Sequence, residues 1–215
     1  MFSGVGRKSG VTSEETRQQL LDATMRVLLT RGFEGTRVSE IAKEAGVTTG
    51  AIYNHFSSKG ELLSAAVAAS APSVLASVLE SGDGSSALQA FREIGTRMPK
   101  STRQGGALTL EFVLAAARDA GVASVVTPDI ARGEGVVADV VRLAQDAGTI
   151  DPAVDADAFA RLITALSLGS KAAAVLDLKD IDDGAWADVI NRLLVSIQPP
   201  AATSSEELTS RSSHD

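Results

Sequence analysis

The stretch Thr48–Leu63, TTGAIYNHFSSKGELL, concentrates side chains that can donate or accept hydrogen bonds. It holds the only tyrosine of the chain, Tyr53, and one of two histidines, His55, the other being His214. Asn54 lies between them, Thr48 and Thr49 precede them, and Lys59 follows just before an apolar pair. Tyrosine near histidine can serve proton transfer, but a nucleophile and its base must lie within hydrogen-bond reach of further partners. The 215-residue chain has no cysteine, which excludes disulfides, thiolate nucleophiles and thiolate metal sites. With His55 the sole histidine outside the last two residues, no nucleophile–base pair or metal constellation can be assembled, and an enzyme is not expected. The alternative chemistry is a grip: donors arranged around a strip of small residues.

The elements that would position these donors read as helices. Apolar residues recur at three- and four-residue steps, and the alternation of strands is missing. Thr12 and Glu15 form a capping box for a helix that carries Leu20, Leu21, Thr24, Val27 and Leu28 on one face and stops at Arg31-Gly32. Thr36 is expected to cap a short helix with Val38, Ile41, Ala42 and Ala45 inward, ended by Gly46. A third helix is expected over 48–56, and Ser58 with Glu61 forms another capping box opening a longer helix. Two short helices joined by Ala45-Gly46-Val47-Thr48 have the spacing of a helix-turn-helix, whose second helix enters the DNA major groove. At 100° per residue, Thr49, Ile52 and Phe56 face inward and Gly50, Ala51 and Asn54 outward, with Tyr53 and His55 flanking that strip. Small residues permit close approach to base edges, and donors on the shoulders suit phosphates.

The residues TRVSEIAKEAGVTTGAIYNHFSSKGELL resemble the N-terminal DNA-binding domain of the TetR family of bacterial transcriptional regulators. The resemblance rests on Thr36, Ile41-Ala42, Ala45-Gly46-Val47, the run Gly50 to Phe56, and Ser58-Lys59 with Leu62, and it covers about residues 12–65. It implies that Thr48 and Thr49 contact phosphate or base edges, that Gly50 lets the backbone approach, and that Ala51 offers its methyl group to thymine. Tyr53 and His55 would donate to phosphates, Lys59 would bind phosphate at a helix N-terminus, and Arg37 and Ser39 would reach backbone or bases. Asn54, often aromatic in members of the family, would meet either phosphate or base. Gly60 stands where members often carry a better helix former.

The charge distribution agrees with this division. Net charge is −7, yet residues 1–65 carry eight Lys/Arg against seven Asp/Glu, and the remainder twelve against twenty. An acidic body disfavours indiscriminate DNA binding and leaves contact to whichever face is locally basic. Further helices are expected at about 85–98, 104–119, 128–147 with Pro128 in its first turn, 154–178 and 183–197. The expected organisation is all-α: an arm over 1–11, a three-helix helix-turn-helix domain over 12–57, a helical effector-binding and dimerisation domain over 58–197, and a disordered tail over 198–215.

No apolar run reaches the roughly 18 residues needed to span a bilayer, and the opening residues show no export signal, so a cytoplasmic protein is expected. The resemblance implies a dimeric repressor that binds a palindromic operator and is released by a small effector. Leu162, Leu166, Gly169, Ala173, Trp186, Ile190 and Leu193 are expected at the dimer seam. Phe91, Met98, Leu108, Glu111, Phe112 and Arg118 are expected around the effector. No cofactor is expected. A composition rich in Ala, Val and Leu and poor in aromatic residues favours a lipid-like, acyl or otherwise hydrophobic effector.

Overall fold

The computed structural model describes residues 12–69 and 74–200. The expected arm and nearly all of the expected tail lie outside the described residues. Ten α-helices follow one another, with no strand among the described residues: α1 (Ser13–Gly35), α2 (Val38–Ala45), α3 (Thr49–Tyr53), α4 (Lys59–Ala69), α5 (Val74–Ser81), α6 (Ala87–Arg97), α7 (Arg103–Arg118), α8 (Ala120–Asp146), α9 (Ala156–Val175) and α10 (Asp183–Ser196). The all-α class is as expected.

Apolar side chains gather in two cores. In the first, Leu20, Leu21 and Leu28 of α1 meet Ile41 and Ala42 of α2, Ile52 of α3, Phe56, and Leu62, Leu63 and Ala66 of α4. Leu108 and Phe112 of α7 and Val126 of α8 complete it. In the second, Val137, Ala138, Val140, Val141 and Ala144 of α8 meet Phe91 of α6, Ala156 and Ala160 of α9, and Ile190 and Leu194 of α10. The helix α8 therefore enters both cores, one with each half. Burial of this kind contributes about 25 cal/mol per Å² of apolar surface, so the shared helix is a strong tie between them.

Local chemistry explains most helix ends. Thr12 and Glu15 form the reciprocal capping box, with Glu15 N–H donating to Thr12 Oγ1 at 3.1 Å and Thr12 N–H to Glu15 Oε2 at 2.7 Å. Gly46 closes α2 with φ +69°, a left-handed conformation that suits glycine. Several elements depart from the sequence expectation, α1 among them, which kinks at Gly32 and runs on to Gly35. Thr36 does not cap α2: its buried hydroxyl turns back to donate to the Gly32 carbonyl at 2.6 Å, and Arg37 occupies the cap without a side-chain bond. Ser58 accepts from Glu61 N–H, but the Glu61 carboxylate accepts from Ser57 N–H at 2.6 Å rather than from Ser58. The single helix expected after Ser58 is two helices, α4 and α5.

Pro128, expected in a first turn, lies inside α8. Asp119 caps that helix two turns earlier, its Oδ1 accepting from Gly121 and Val122 N–H at 2.7 and 3.2 Å. The proline forfeits a hydrogen bond to the Ser124 carbonyl and clashes with it, at a cost of about 3 kcal/mol. Packing of Val122 and Val126 into the first core offsets that cost. The expectation that nothing is apolar enough to span a bilayer also needs correction. By length and composition alone α9 passes that test, because a long window averages over Arg161 and Lys171. In this fold α9 packs along α7 and α8.

Close approach of α7 and α9 occurs at the buried Gly106, where a Cβ would fall 2.7 Å from the Lys171 carbonyl oxygen. A backbone atom cannot move aside, so the helices would have to part. Gly106→Ala is expected to destabilise by about 1–3 kcal/mol, read as a lower urea midpoint. Gly135→Ala, in open space on α8, gains up to about 1 kcal/mol of helix propensity in the same measurement. The Ser57 hydrogen bonds, aided by Arg17, hold the Glu61 carboxyl below its ordinary value of 4.5. A depressed folded-state value stabilises above the unfolded value and is lost as pH falls through the folded one. The stability of the wild type relative to Glu61→Gln should therefore be constant at neutral pH and fall as pH drops below 4.5.

Candidate nucleic-acid interface and ligand cavity

The exposed strip is built on a very short helix. Thr48 caps α3 by accepting from Ala51 N–H at 3.2 Å, and Ile52 plunges into the first core with 1% exposure. The helix ends at Tyr53 rather than continuing to Phe56. His55 and Phe56 N–H both donate to the Ile52 carbonyl, at 2.9 and 3.0 Å, so the chain tightens and turns. That turn delivers Phe56 to the core, where the Arg17 guanidinium lies 5.1 Å from its ring centroid. Thr49, expected inward, is exposed. Five residues supply one inward position, Ile52, and Val47 of the preceding turn fills the space beside it.

Thr48, Thr49, Gly50, Tyr53 and Asn54 are all exposed, with Ala51 and His55 half-buried at the margin of the strip. Tyr53, 53% exposed, stands out as an aromatic donor with its ring in solvent. On α2, Arg37 and Ser39 are exposed too. Arg26 is paired with Glu44 at 2.8 Å and Arg31 with Glu40 at 3.6 Å, which removes two cations from availability. Arg37 and Lys43 have no ion pair among the described residues. Lys43 was not singled out from sequence, although Ser39 and Lys43 lie four apart and so share a face of α2.

Lys59 is placed differently from the other candidates. Its ammonium donates to the Phe33 carbonyl at 3.5 Å and lies 5.6 Å from the Phe33 ring centroid. Burial against these groups pushes its pKa down. A phosphate contact would require it to leave this site.

The six residues expected around an effector do not share one cavity. Phe91 is in the second core, edge-on to Phe159 at 5.2 Å, and Leu108 is in the first. Glu111 and Arg118 line a groove at the end of α1, where Glu111 Oε2 accepts from Phe33 N–H at 2.8 Å. Met98 lines a cavity of about 210 Å³. Phe112 lines a second, of about 400 Å³, between α4, α7, α8 and α9, with walls that include Val67, Val113, Ile130 and Leu168. Lys171 borders both cavities, and its ammonium donates to Ser167 Oγ at 2.7 Å. Burial pushes the Lys171 pKa down. Its one sequence signal was to be the lone charge in the apolar run after Ala165.

The residues expected at the seam fall into two groups. Leu162 and Leu193 are 52% and 53% exposed, and Leu166, Gly169 and Ala173 line an open groove beside Trp186. Ile190 is instead buried in the second core, and Trp186 Nε1 donates to the Gly95 carbonyl at 2.8 Å. These two have partners within the chain.

Comparison with known proteins bears directly on the first four helices. Residues 20–66 match the family model described as bacterial regulatory proteins, tetR family. The chain is 42% identical over 64 residues to the HTH-type transcriptional regulator SrpR of Pseudomonas putida, and 47% identical over 60 residues to AcrR of Shigella flexneri. These matches span 30% and 28% of this chain and the same shares of those proteins, so the chain covers under a third of the relatives' length. The whole fold is similar to that of a TetR-family transcriptional regulator from Rhodococcus sp., with TM-score 0.67 and 21% identity over 86% of this chain and 100% of that one. Residues 20–66 thus match the N-terminal domain of the tetR family of bacterial regulatory proteins, and the fold of the chain is similar to that of a solved member of that family.

Proposed function

We propose that the chain is a dimeric repressor that binds a palindromic DNA operator and is released when a small molecule occupies the cavity between α4, α7, α8 and α9. The observation that carries the reading is the exposed strip from Thr48 to Asn54, held out by a helix whose buried anchors are Ile52 and Phe56. Gly50 and Ala51 lie against base edges, Thr49 and Asn54 beside them, and Tyr53 and His55 donate to phosphates on either side. Arg37 and Lys43, without an ion pair among the described residues, neutralise phosphates along α2, with Ser39 between them. Lys59 adds a phosphate contact only when its ammonium leaves Phe33. Release follows from shared side chains: Phe112 and Val126 belong to the first core and also line the cavity. An occupant that moves them alters the seat of the DNA-binding helices.

Pairing of two copies is supported by the apolar surface that one chain leaves in water. Leu162, Leu193 and Val189, each about half exposed, flank the groove that Leu166, Gly169 and Ala173 line. Small residues there let helix axes of a second copy come close. A two-fold dimer places two copies of α3 a helical turn or more apart, matching a palindrome.

Sequencing of genomic fragments captured by the full chain should return a palindrome, and affinity for it should fall steeply with salt. Tyr53→Ala is expected to weaken that binding about tenfold, and Arg37→Ala and Lys43→Ala each to reduce the salt slope by about one, without loss of helical signal. Undiminished binding by all three variants would exclude the α2–α3 face. By light scattering the wild type should be a dimer at micromolar concentration and the double variant Leu162→Glu, Leu193→Glu a folded monomer. A dimeric double variant would place the seam elsewhere.

A further inference from the structure

We infer that the cavity between α4, α7, α8 and α9 takes an aliphatic carboxylate, seated on Lys171 with its chain along the apolar wall. The inference rests on the effector-released reading above and gives the effector a chemical class. Charge balance decides the sign of the head group. Two carboxylates line the cavity, and each already has an arginine at the surface. Asp129 Oδ1 is 2.5 Å from Arg132, and Glu134 Oε2 is 2.9 Å from Arg161. The second oxygen of Asp129 accepts the Ser64 hydroxyl. Among the described residues Lys171 has no such partner: its ammonium donates to the neutral Ser167 hydroxyl. A cation withdrawn from water without a counter-charge is costly, and an anion brought to it recovers much of that cost.

The surroundings fit a carboxylate rather than a bare ion. Ser167 and Lys171 are four residues apart on α9 and Thr164 is three before Ser167, so two hydroxyls stand on the same side as the ammonium. They can donate to the carboxylate oxygens that Lys171 leaves free. Beyond them Val67, Val113, Ile130 and Leu168 form an apolar wall with Phe112, and Ser64, Thr109, Asp129 and Glu134 add polar groups to the lining. A volume of about 400 Å³ is near the small end for ligand pockets and suits a medium-length chain. Glu134 Oε1 is buried without a partner and opposes a second anion at that end, which orients the ligand with its head toward Lys171.

Titration calorimetry with decanoate, 1-decanol and decylamine on the full chain tests this. Decanoate should bind at least tenfold more tightly than 1-decanol, and Lys171→Met should erase that difference while leaving 1-decanol binding unchanged. Retained 1-decanol binding reports that the variant is folded. Ser167→Ala, a milder change, should narrow the difference several-fold. Equal binding of acid and alcohol, preference for decylamine, no binding of any of the three, or an undiminished preference in Lys171→Met would overturn the inference. Adding decanoate to the complex with the captured palindrome separates the two readings. Lys171-dependent decanoate binding that leaves DNA affinity unchanged supports the carboxylate site and refutes effector release. DNA binding by a chain that does not bind decanoate refutes the carboxylate site and leaves the DNA-binding reading standing.

Discussion

Phe33, near the end of α1, is held from three sides. Its ring meets Phe112 of α7 edge-on at 4.7 Å, its N–H donates to Glu111 of the same helix, and its carbonyl accepts from Lys59 at the start of α4. The arrangement depends on Gly32, whose φ of +69° breaks α1 and frees the Phe33 amide for a side-chain acceptor. A Cβ at Gly32 would also lie 3.0 Å from Glu111 Oε2. One local backbone excursion thus fixes the supporting helix of the DNA-binding domain to α7. Most of what lies beyond inherits its placement from this joint.

The joint gives physical content to the proposed coupling of the two sites. Phe112 touches Phe33 on one side and the cavity on the other. Ser64 of α4 lines the same cavity and hydrogen-bonds Asp129 of α8. An occupant therefore meets two helices, α4 and α7, that also bear on α1. Interiors are close-packed, so a displaced ring or helix transmits its shift rather than absorbing it. Coupling energies of about 1–3 kcal/mol are usual for such sites, and they are reciprocal: whatever loosens DNA binding must be bound less well by the DNA-bound form.

The sequence made the N-terminal domain legible because its signals are local. Thr12 and Glu15 cap at a fixed spacing, Gly46 marks a left-handed residue, and Ile41, Ala42 and Ile52 follow helical period into the core. The misses come from tertiary context. Pro128 carries a first-turn signal that the buried Val126 and the half-buried Val122 override. Thr36 has a hydroxyl that could cap forward, but the break at Gly32 presents a nearer acceptor behind it. The cavity was the least legible feature. Its lining comes from four helices, and α7 alone sends Leu108 to a core, Phe112 to the cavity and Arg118 to the surface. No periodicity within one helix encodes which neighbours meet across a gap.

Charge, by contrast, is legible once pairing is known. Cations close to carboxylates are spent: Arg26 on Glu44, Arg31 on Glu40, Arg132 on Asp129, Arg161 on Glu134. Among the cations with no ion pair in the described residues, three show two contrasting environments. Arg37 and Lys43 are in water, where an isolated charge is cheap and a phosphate gains mainly by releasing counterions. Lys171 is withdrawn from water, where the same unpaired charge is expensive and an anion gains by relieving desolvation. The acidic surplus of the chain does not remove either excess, because screened surface carboxylates act over little more than a Debye length. In the proposed reading, a protein with net charge −7 thus keeps Arg37 and Lys43 open to a polymeric anion and Lys171 beside a cavity sized for a small one.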